Sequence, residues 1–278
     1  MKRDVQERAR RLISRLVPGG QRGRWRVPSA GTSHATPHGA PQGPPRPEHP
    51  VAVIGDIHGR MDLLERLLDK LAAEAPDARP VFVGDYVDRG AESRAVLERL
   101  RALGSSATCL MGNHEAMLLE FLDDTLERAG RWLRNGGRET LASYGVDLAE
   151  SPDIDALMAA RDAFAEALSD GTERWLRARP LFWQTGNLLV NHAGPDPARP
   201  ISAQQDDVFL WGHRRFLRDA RRDGLWVAHG HWVRPDARAG DGRIAVDTGA
   251  WAFGRLSAAL ILPDGRLRFI DVRGRGMA

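Results

Sequence analysis

The chain of 278 residues contains one cysteine, two lysines, two tyrosines and no apolar run near the roughly 20 residues that a membrane-spanning helix needs. The single cysteine, Cys109, excludes a disulfide framework and a cysteine-built zinc cluster, and it fits a reducing compartment. The first 20 residues are basic but lack the unbroken apolar core of a secretory signal. These absences favour a soluble, cytoplasmic protein.

Charge and composition divide the chain near residue 50. Residues 1–50 hold ten Lys and Arg against three Asp and Glu, a net charge of +7, whereas the remainder holds 30 against 34, a net charge of −4. Residues 27–50 contain seven prolines and three glycines without periodicity, and such a segment buries too little apolar surface to offset its ordering entropy. We expect a basic, disordered leader over 1–50 and a folded domain over 51–278. The acidic body and the scarcity of aromatic residues in the leader argue against a nucleic-acid partner.

Strand and helix patterns alternate from residue 51 onward. Short apolar runs predict strands at 51–54, 81–83 and 108–111, and helical spacing of leucines predicts a helix over 61–73. Further helices are expected over 92–102, 115–129 and much of 131–178. Five more apolar runs predict strands near 188–192, 226–231, 243–247, 257–262 and 267–271, the last two joined by a Pro-Asp-Gly hairpin turn. This order implies an α/β fold with at least partly parallel strands.

Several predicted strands end in residue types that bind metal ions. The segments are GDIHG (55–59), GDYVDRG (84–90), GNHE (112–115), NHAG (191–194) and HGH (229–231). Mixed oxygen and imidazole ligands suit Mn, Fe or Zn, and the absence of thiolates argues against a structural zinc site. On an extended segment, Asp56 and His58 would point the same way, and so would His229 and His231. Five such segments in this order predict a metal centre.

These motifs together resemble the calcineurin-like metallophosphoesterases, specifically the bacterial serine/threonine phosphatases of the phosphoprotein phosphatase branch. The resemblance covers residues 51–271, and the block WLRNGGRETLASYG (132–145) is similar to the helical insert of the bacterial members. It implies a metallophosphoesterase-type β-sandwich flanked by helices, with a helical insert over roughly 131–180. It also implies two divalent metal ions at the strand ends, with Mn²⁺ as the expected ion and Fe or Zn open.

The resemblance assigns the metal ligands residue by residue. Asp56 and His58 would hold the first ion, and Asp85 would bridge both. The ligands that complete the second ion would be Asn113, His192 and His231. The reaction implied is direct attack of a metal-bridging hydroxide on phosphorus, without a phosphoenzyme.

The resemblance also assigns an acid and a phosphate-binding group. His114 would protonate the leaving oxygen, and Asp88 would hold the other nitrogen of that imidazole. Arg89 would bind the phosphoryl oxygens through its planar guanidinium, with Asn113 beside it. The family's second phosphate-binding arginine falls on His213 here, so either His213 or the neighbouring Arg214 would replace it.

The first functional expectation is a serine/threonine protein phosphatase that acts on a phosphoprotein or phosphopeptide. It depends on the pair Asp88-Arg89 and on Glu115 after Asn113-His114. The alternative is the sister family that cleaves diadenosine tetraphosphate symmetrically, whose members usually lack the Asp-Arg pair. A second alternative is a weakly active or non-catalytic metal-binding interaction protein, which the departure at His213 supports.

Overall fold

A computed structural model describes residue 41, residues 43–168 and residues 171–276. Most of the predicted leader therefore lies outside the described residues. The strands in chain order are β1 (Val51–Ile54), β2 (Arg79–Phe82), β3 (Thr108–Cys109), β4 (Phe182–Thr185), β5 (Leu188–Asn191), β6 (Trp226–His229), β7 (Arg238–Gly240), β8 (Arg243–Ala245), β9 (Arg255–Ile261) and β10 (Leu267–Arg273). The helices are α1 (Met61–Glu74), α2 (Ser93–Ala102), α3 (Asn113–Asp123), α4 (Thr125–Trp132), α5 (Arg138–Ser143), α6 (Ile154–Ala167), α7 (Thr172–Arg177), α8 (Asp206–Trp211) and α9 (Ala250–Phe253).

The strands of the described chain form two five-stranded sheets. The first has the order β10-β9-β1-β2-β3, and the second has the order β4-β5-β6-β8-β7. Strands β1, β2 and β3 are parallel to one another, as are β5, β6 and β8. Their carboxyl ends consequently lie at the same edge of each sheet, where the predicted metal-binding motifs follow.

Alternating side chains of the strands divide the apolar residues between two sides. Val51 and Val53 of β1 face the second sheet, and they pack with Val190 of β5 and Ala228 of β6 in the core between the sheets. Ala52 and Ile54 point the other way, into the core beneath the helices. That core includes the buried stripe of α1, formed by Leu63, Leu64, Leu67 and Leu71. Each such leucine contributes roughly 1.5–3 kcal/mol by burial. The α/β sandwich flanked by helices is confirmed.

Some local predictions differ from the structure. Strands β4 and β7 were not predicted, because both lie at sheet edges and are largely exposed, without a clean apolar alternation. The single helix expected over 115–129 is two helices, because Asp124 leaves the helical conformation with φ −140°. The hairpin between β9 and β10 closes at Pro263-Asp264-Gly265, as predicted.

The described end of the predicted leader is packed against the second sheet. The indole Nε1 of Trp226 donates to the carbonyl of Gly43 at 3.0 Å, and Asn187 Nδ2 donates to the carbonyl of Pro44 at 3.2 Å. Pro45 and Pro47 are buried. Residues 43–50 are therefore ordered against the body, which corrects the expectation of disorder for this part of the leader. Among the described residues, no helix has the length and apolarity needed to cross a membrane.

Candidate active site

Loops at the carboxyl ends of the parallel strands bring the six predicted metal-binding side chains into one cluster. Five of them are buried and the sixth, His231, is partly buried. They are Asp56 and His58 after β1, Asp85 after β2, Asn113 after β3, His192 after β5 and His231 after β6.

Asp85 lies at the centre of this cluster. Its Oδ2 is 3.6 Å from His58 Nε2 and 3.9 Å from His114 Nε2, whereas its Oδ1 is 3.4 Å from His192 Nε2. Two sets of possible ligand atoms therefore share this carboxylate, one with His58 and His114 and the other with His192 and His231. A carboxylate that faces both sets has the position required of a bridging ligand.

Asn113 adds an amide oxygen to the second set. Its Oδ1 lies 2.9 Å from His192 Nε2 and 3.0 Å from His231 Nδ1. Asp56 lies beneath the backbone of His231, whose N–H donates to Asp56 Oδ2 at 3.0 Å. Gly230 is required at this contact, because a Cβ there would lie 1.9 Å from Asp56 Oδ1.

Backbone carbonyls accept a hydrogen bond from Nδ1 of two imidazoles, and the Nε2 atom of each ring then carries a lone pair that faces the cluster. His58 Nδ1 donates to the carbonyl of Val87 at 2.8 Å, and His192 Nδ1 donates to the carbonyl of Val83 at 3.1 Å. In the neutral ring the proton then sits on Nδ1, so each Nε2 carries a lone pair that can bind a metal ion; Arg89 lies 3.0 Å from this nitrogen in His58 and Asn113 Oδ1 lies 2.9 Å from it in His192. This arrangement of a ligating imidazole held by a second acceptor is common in metal sites.

The charge balance of the cluster favours a bound cation. Burial, together with the carboxylate of Asp247, raises the pKa of Asp56 well above its ordinary range, and burial raises the pKa of Asp247 to about 6. Burial acts to lower the pKa of His192, but the Asp85 carboxylate outweighs it and raises this pKa to about 9. Carboxylates that resist ionisation and an imidazole that retains a proton both indicate a local need for positive charge. The His, Asp and Asn donors therefore fit divalent ions.

Left-handed backbone at several positions directs these side chains. His58, Asp85 and His231 have φ of 47°, 54° and 61°, and non-glycine residues in this region cluster at functional sites. The extended geometry expected for Asp56-Ile57-His58 is wrong, because the chain turns after Asp56. The expectation that His229 and His231 point the same way is also wrong. His231 enters the cluster, whereas His229 packs against Phe216 with ring centroids 4.9 Å apart.

His114 and Asp88 form a buried pair next to the cluster. His114 Nδ1 lies 2.6 Å from Asp88 Oδ2, and its Nε2 faces the cluster. Asp88 is fully buried, and it accepts from two further side chains. Trp132 Nε1 lies 3.0 Å from both carboxylate oxygens, and Thr140 Oγ1 donates to Oδ1 at 2.7 Å. The expected insert thus supplies two donors that orient the His114–Asp88 pair.

Arg89 bridges the cluster and this pair. One guanidinium nitrogen lies 3.0 Å from His58 Nε2, and another lies 3.0 Å from His114 Nε2. The backbone N–H of Arg89 donates to the carbonyl of Gly136 at 3.2 Å. Gly136 has φ 103°, and a Cβ there would lie 2.4 Å from the Arg89 nitrogen. A positively charged, planar guanidinium group at this position can bind phosphoryl oxygens.

Glu115, which the sequence analysis used only as a family marker, joins the loops of the site. Its carboxylate accepts from the backbone N–H groups of Asp85, Tyr86, Val87 and Gly112 at 2.7–3.2 Å. Burial and the nearby Asp85 carboxylate raise its pKa to about 7. Trp132 and Thr140 were likewise not predicted as site residues. In the sequence, the feature that could have indicated them was the block at 132–145, which is similar to the helical insert of the bacterial phosphatases.

His213 and Arg214 do not make contacts that identify a phosphate site. His213 Nδ1 lies 3.6 Å from Asp196 Oδ1, and the backbone N–H of Arg215 approaches the same nitrogen at 3.4 Å. Arg214 is exposed. Their phosphate-binding roles stay predictions.

Comparison with known proteins identifies related chains. The model of the calcineurin-like phosphoesterase family matches residues 49–270. A protein of Janthinobacterium sp. (strain Marseille) is 39% identical over 144 residues, which cover 52% of this chain and 43% of the relative. A protein of Methylococcus capsulatus (strain ATCC 33009 / NCIMB 11132 / Bath) is 32% identical over 148 residues, covering 53% and 44%. Both are named symmetrical bis(5'-nucleosyl)-tetraphosphatase. The alignments therefore span less than half the length of these curated relatives.

A solved structure shares the fold. It is described as a candidate diadenosine tetraphosphatase, is 24% identical and has a TM-score of 0.58, with 84% of this chain and 98% of that chain covered. The expected serine/threonine protein phosphatase is wrong, because the curated relatives carry the name of the alternative. The pair Asp88-Arg89 was therefore a poor discriminator of the substrate.

Proposed function

Because the chain belongs to the calcineurin-like phosphoesterase family, we propose that it is a metal-dependent hydrolase that cleaves dinucleoside tetraphosphates symmetrically. The observation that carries this proposal is the 39% identity over 144 residues to a symmetrical bis(5'-nucleosyl)-tetraphosphatase. The buried cluster around Asp85, the His114–Asp88 pair and the Arg89 guanidinium supply the groups that phosphoryl transfer to water requires.

The proposed ligands share Asp85 with the two sets described above, but they add Asp56 and Asn113 and leave His114 as the acid. Asp56 and His58 would hold one ion, Asp85 would be shared, and Asn113, His192 and His231 would hold the other. Two divalent ions, when bound, supply an activated water and neutralise charge on the phosphoryl oxygens. We propose Mn²⁺ for both positions on the mixed oxygen and imidazole donors, with Fe or Zn as the other ions that such donors accept.

The chain's own residues orient the phosphate and move a proton. Arg89 binds a phosphoryl oxygen while Asp88 holds the His114 ring with its Nε2 towards the reacting group. Water adds to one of the two central phosphorus atoms, and the bond from that phosphorus to the bridging oxygen breaks. His114 donates its Nε2 proton to the departing oxygen. Each half of the substrate leaves as a nucleoside diphosphate, so diadenosine tetraphosphate and water yield two ADP.

The test compares two substrates under identical conditions, with Mn²⁺ and with a chelator. Diadenosine tetraphosphate and a phosphothreonine peptide are incubated with the full chain, and nucleotide products are separated by ion-exchange chromatography. We expect chelator-sensitive release of ADP alone from the dinucleotide. Release of AMP and ATP would contradict symmetrical cleavage, and faster turnover of the peptide would contradict the substrate assignment.

A pair of histidine variants tests the acid. His114→Asn should lower kcat by a factor on the order of 10²–10⁴ while Mn²⁺ binding is retained. His49→Asn is the matched control, because His49 is exposed and its recorded ring contact is with Trp183. Unchanged kcat in His114→Asn would overturn the acid assignment. No dinucleotide turnover by the wild-type chain, with Mn²⁺ bound, would favour the non-catalytic alternative.

A further inference from the structure

A short aromatic turn borders the candidate active site without a role in the proposed chemistry. Helix α9 carries Trp251 and Phe253. The helix is flanked by Gly249 and Gly254, and these two glycines have left-handed backbone with φ of 71° and 65°. Phe253 is 61% exposed, the largest fraction recorded for a large apolar side chain in the described chain, and Trp251 is partly exposed. Exposed aromatic side chains beside a site often mark a ligand contact.

Buried polar contacts fix this turn at its base. Asp247 Oδ1 accepts from the N–H of Gly249 at 2.9 Å, and Arg60 donates to the carbonyl of Ala250 at 2.8 Å. Ala250 is buried, and a Cβ on Gly249 would lie 2.5 Å from the Phe253 ring. The turn is therefore fixed at its base, with the Trp251 ring beside Arg89 and the exposed Phe253 ring over Gly249.

Arg89 connects the turn to the reacting centre. Its Cζ lies 5.1 Å from the Trp251 ring centroid, and its guanidinium nitrogens lie 3.0 Å from His58 Nε2 and from His114 Nε2. The indole is thus one side chain away from the cluster. A ligand that contacts both features must combine a flat, uncharged ring with a phosphate group.

We propose that Trp251 and Phe253 form a nucleobase subsite, on which one base of the dinucleoside polyphosphate stacks while Arg89 holds its phosphate chain. This inference depends on the proposed function for its substrate. In such a substrate one further phosphate and a ribose separate each central phosphorus from the nearer base, so a base lies near the scissile bond but outside the metal cluster. Stacking on an aromatic face tolerates any base, and the subsite therefore selects nucleotides without selecting adenine.

The kinetic test compares a substrate that has a base with one that lacks it. For Phe253→Ala, the ratio of kcat/KM on diadenosine tetraphosphate to kcat/KM on p-nitrophenyl phosphate should fall about 5- to 150-fold, the value of one stacked base. Phe253→Trp keeps an aromatic face and should retain the wild-type ratio. An unchanged ratio in Phe253→Ala, or an equal loss on both substrates, would overturn the subsite.

A binding test separates failure of the subsite from failure of the proposed function. ADP and ribose 5-phosphate are titrated into the full chain with Mn²⁺, and tryptophan fluorescence is recorded for wild type and for Trp251→Phe. ADP should quench the wild type more than the variant, and ribose 5-phosphate should not distinguish them. ADP quenching that depends on Trp251, in a chain that does not cleave the dinucleotide, would support the subsite and refute the proposed function. Quenching that is equal in both proteins would refute the subsite, whatever the enzymatic result.

Discussion

The hydroxyl of Thr140 offers a sharp test of how the insert supports the acid pair. Thr140 is fully buried, and its Oγ1 donates to Asp88 Oδ1 at 2.7 Å. Thr140→Val keeps the shape of the side chain but removes this donor from a buried carboxylate. It also removes an acceptor of the Asp88 backbone N–H, which retains Ser93 Oγ as an acceptor at 3.1 Å. A hydrogen bond to a charged group contributes about 1.5–3 kcal/mol. We therefore expect the free energy of unfolding to fall by about that amount, and Tm by roughly 3–12 °C for a domain of this size.

The same variant should lose catalytic rate in a manner that depends on the leaving group. Asp88 holds His114 Nδ1 at 2.6 Å, and without Thr140 the Trp132 indole is, among the described residues, the remaining side-chain donor outside the pair that restrains this carboxylate. Loss of the acid matters most when the departing oxygen is strongly basic. Thr140→Val should therefore reduce kcat on an alkyl phosphate more than on p-nitrophenyl phosphate, and Thr140→Ser should restore both.

Thr125 provides the matched control for this experiment. Its hydroxyl donates to the backbone carbonyl of Phe121 at 2.8 Å, and it is nearly as buried. Because that acceptor is uncharged, Thr125→Val should cost only about 0.5–1.5 kcal/mol, with the leaving-group dependence of the wild type. If Thr140→Val is no less stable than this control and has wild-type kcat, the insert does not position the acid pair.

Two further predictions concern Arg89 and the metal cluster. Gly136→Ala should raise KM for phosphoesters several-fold, since its Cβ would collide with the Arg89 backbone. Gly145 is also left-handed, but it has open space where a Cβ would lie. Gly145→Ala should therefore leave KM unchanged in steady-state kinetics. Removal of metal ions by a chelator should lower Tm by roughly 5–11 °C for each ion lost, because an ion at 100 times its Kd contributes about 2.7 kcal/mol. A chelator-independent Tm in calorimetry would contradict the proposal that the cluster around Asp85 binds divalent ions.

The position of the cluster follows from features that a sequence displays. Apolar runs that end in Asp56, Asp85 and Asn113 predict strands, and the helices between them imply parallel strands whose ends meet at one edge. The direction of each side chain does not follow in the same way. His58 and His231 turn into the cluster through left-handed backbone, a conformation that the surrounding fold imposes and that no local pattern of residues reveals.

The support of the acid pair is hidden from sequence for a different reason. Trp132 and Thr140 lie 44 and 52 residues beyond Asp88 in the chain, and one-dimensional patterns do not report contacts at that separation. Glu115 is adjacent to His114, yet its contacts reach back to the loop at Asp85. The sequence could therefore place the reacting groups at the strand ends, whereas the residues that hold them appear only in the folded chain.

The expected substrate was the prediction that the comparison with curated relatives contradicted, and the chemistry of the site explains why. His114 contacts both Arg89 and Asp88, and the proposed role of all three residues is to act on a phosphoryl group, which is equivalent in a phosphothreonine and in a nucleoside polyphosphate. Residues that bind what two substrates share cannot tell them apart. Discrimination must come from contacts with the part that differs, here a nucleobase or a peptide. Rings such as the partly exposed Trp251 and the exposed Phe253, outside the five metal-binding segments, are therefore where the choice of substrate should be sought.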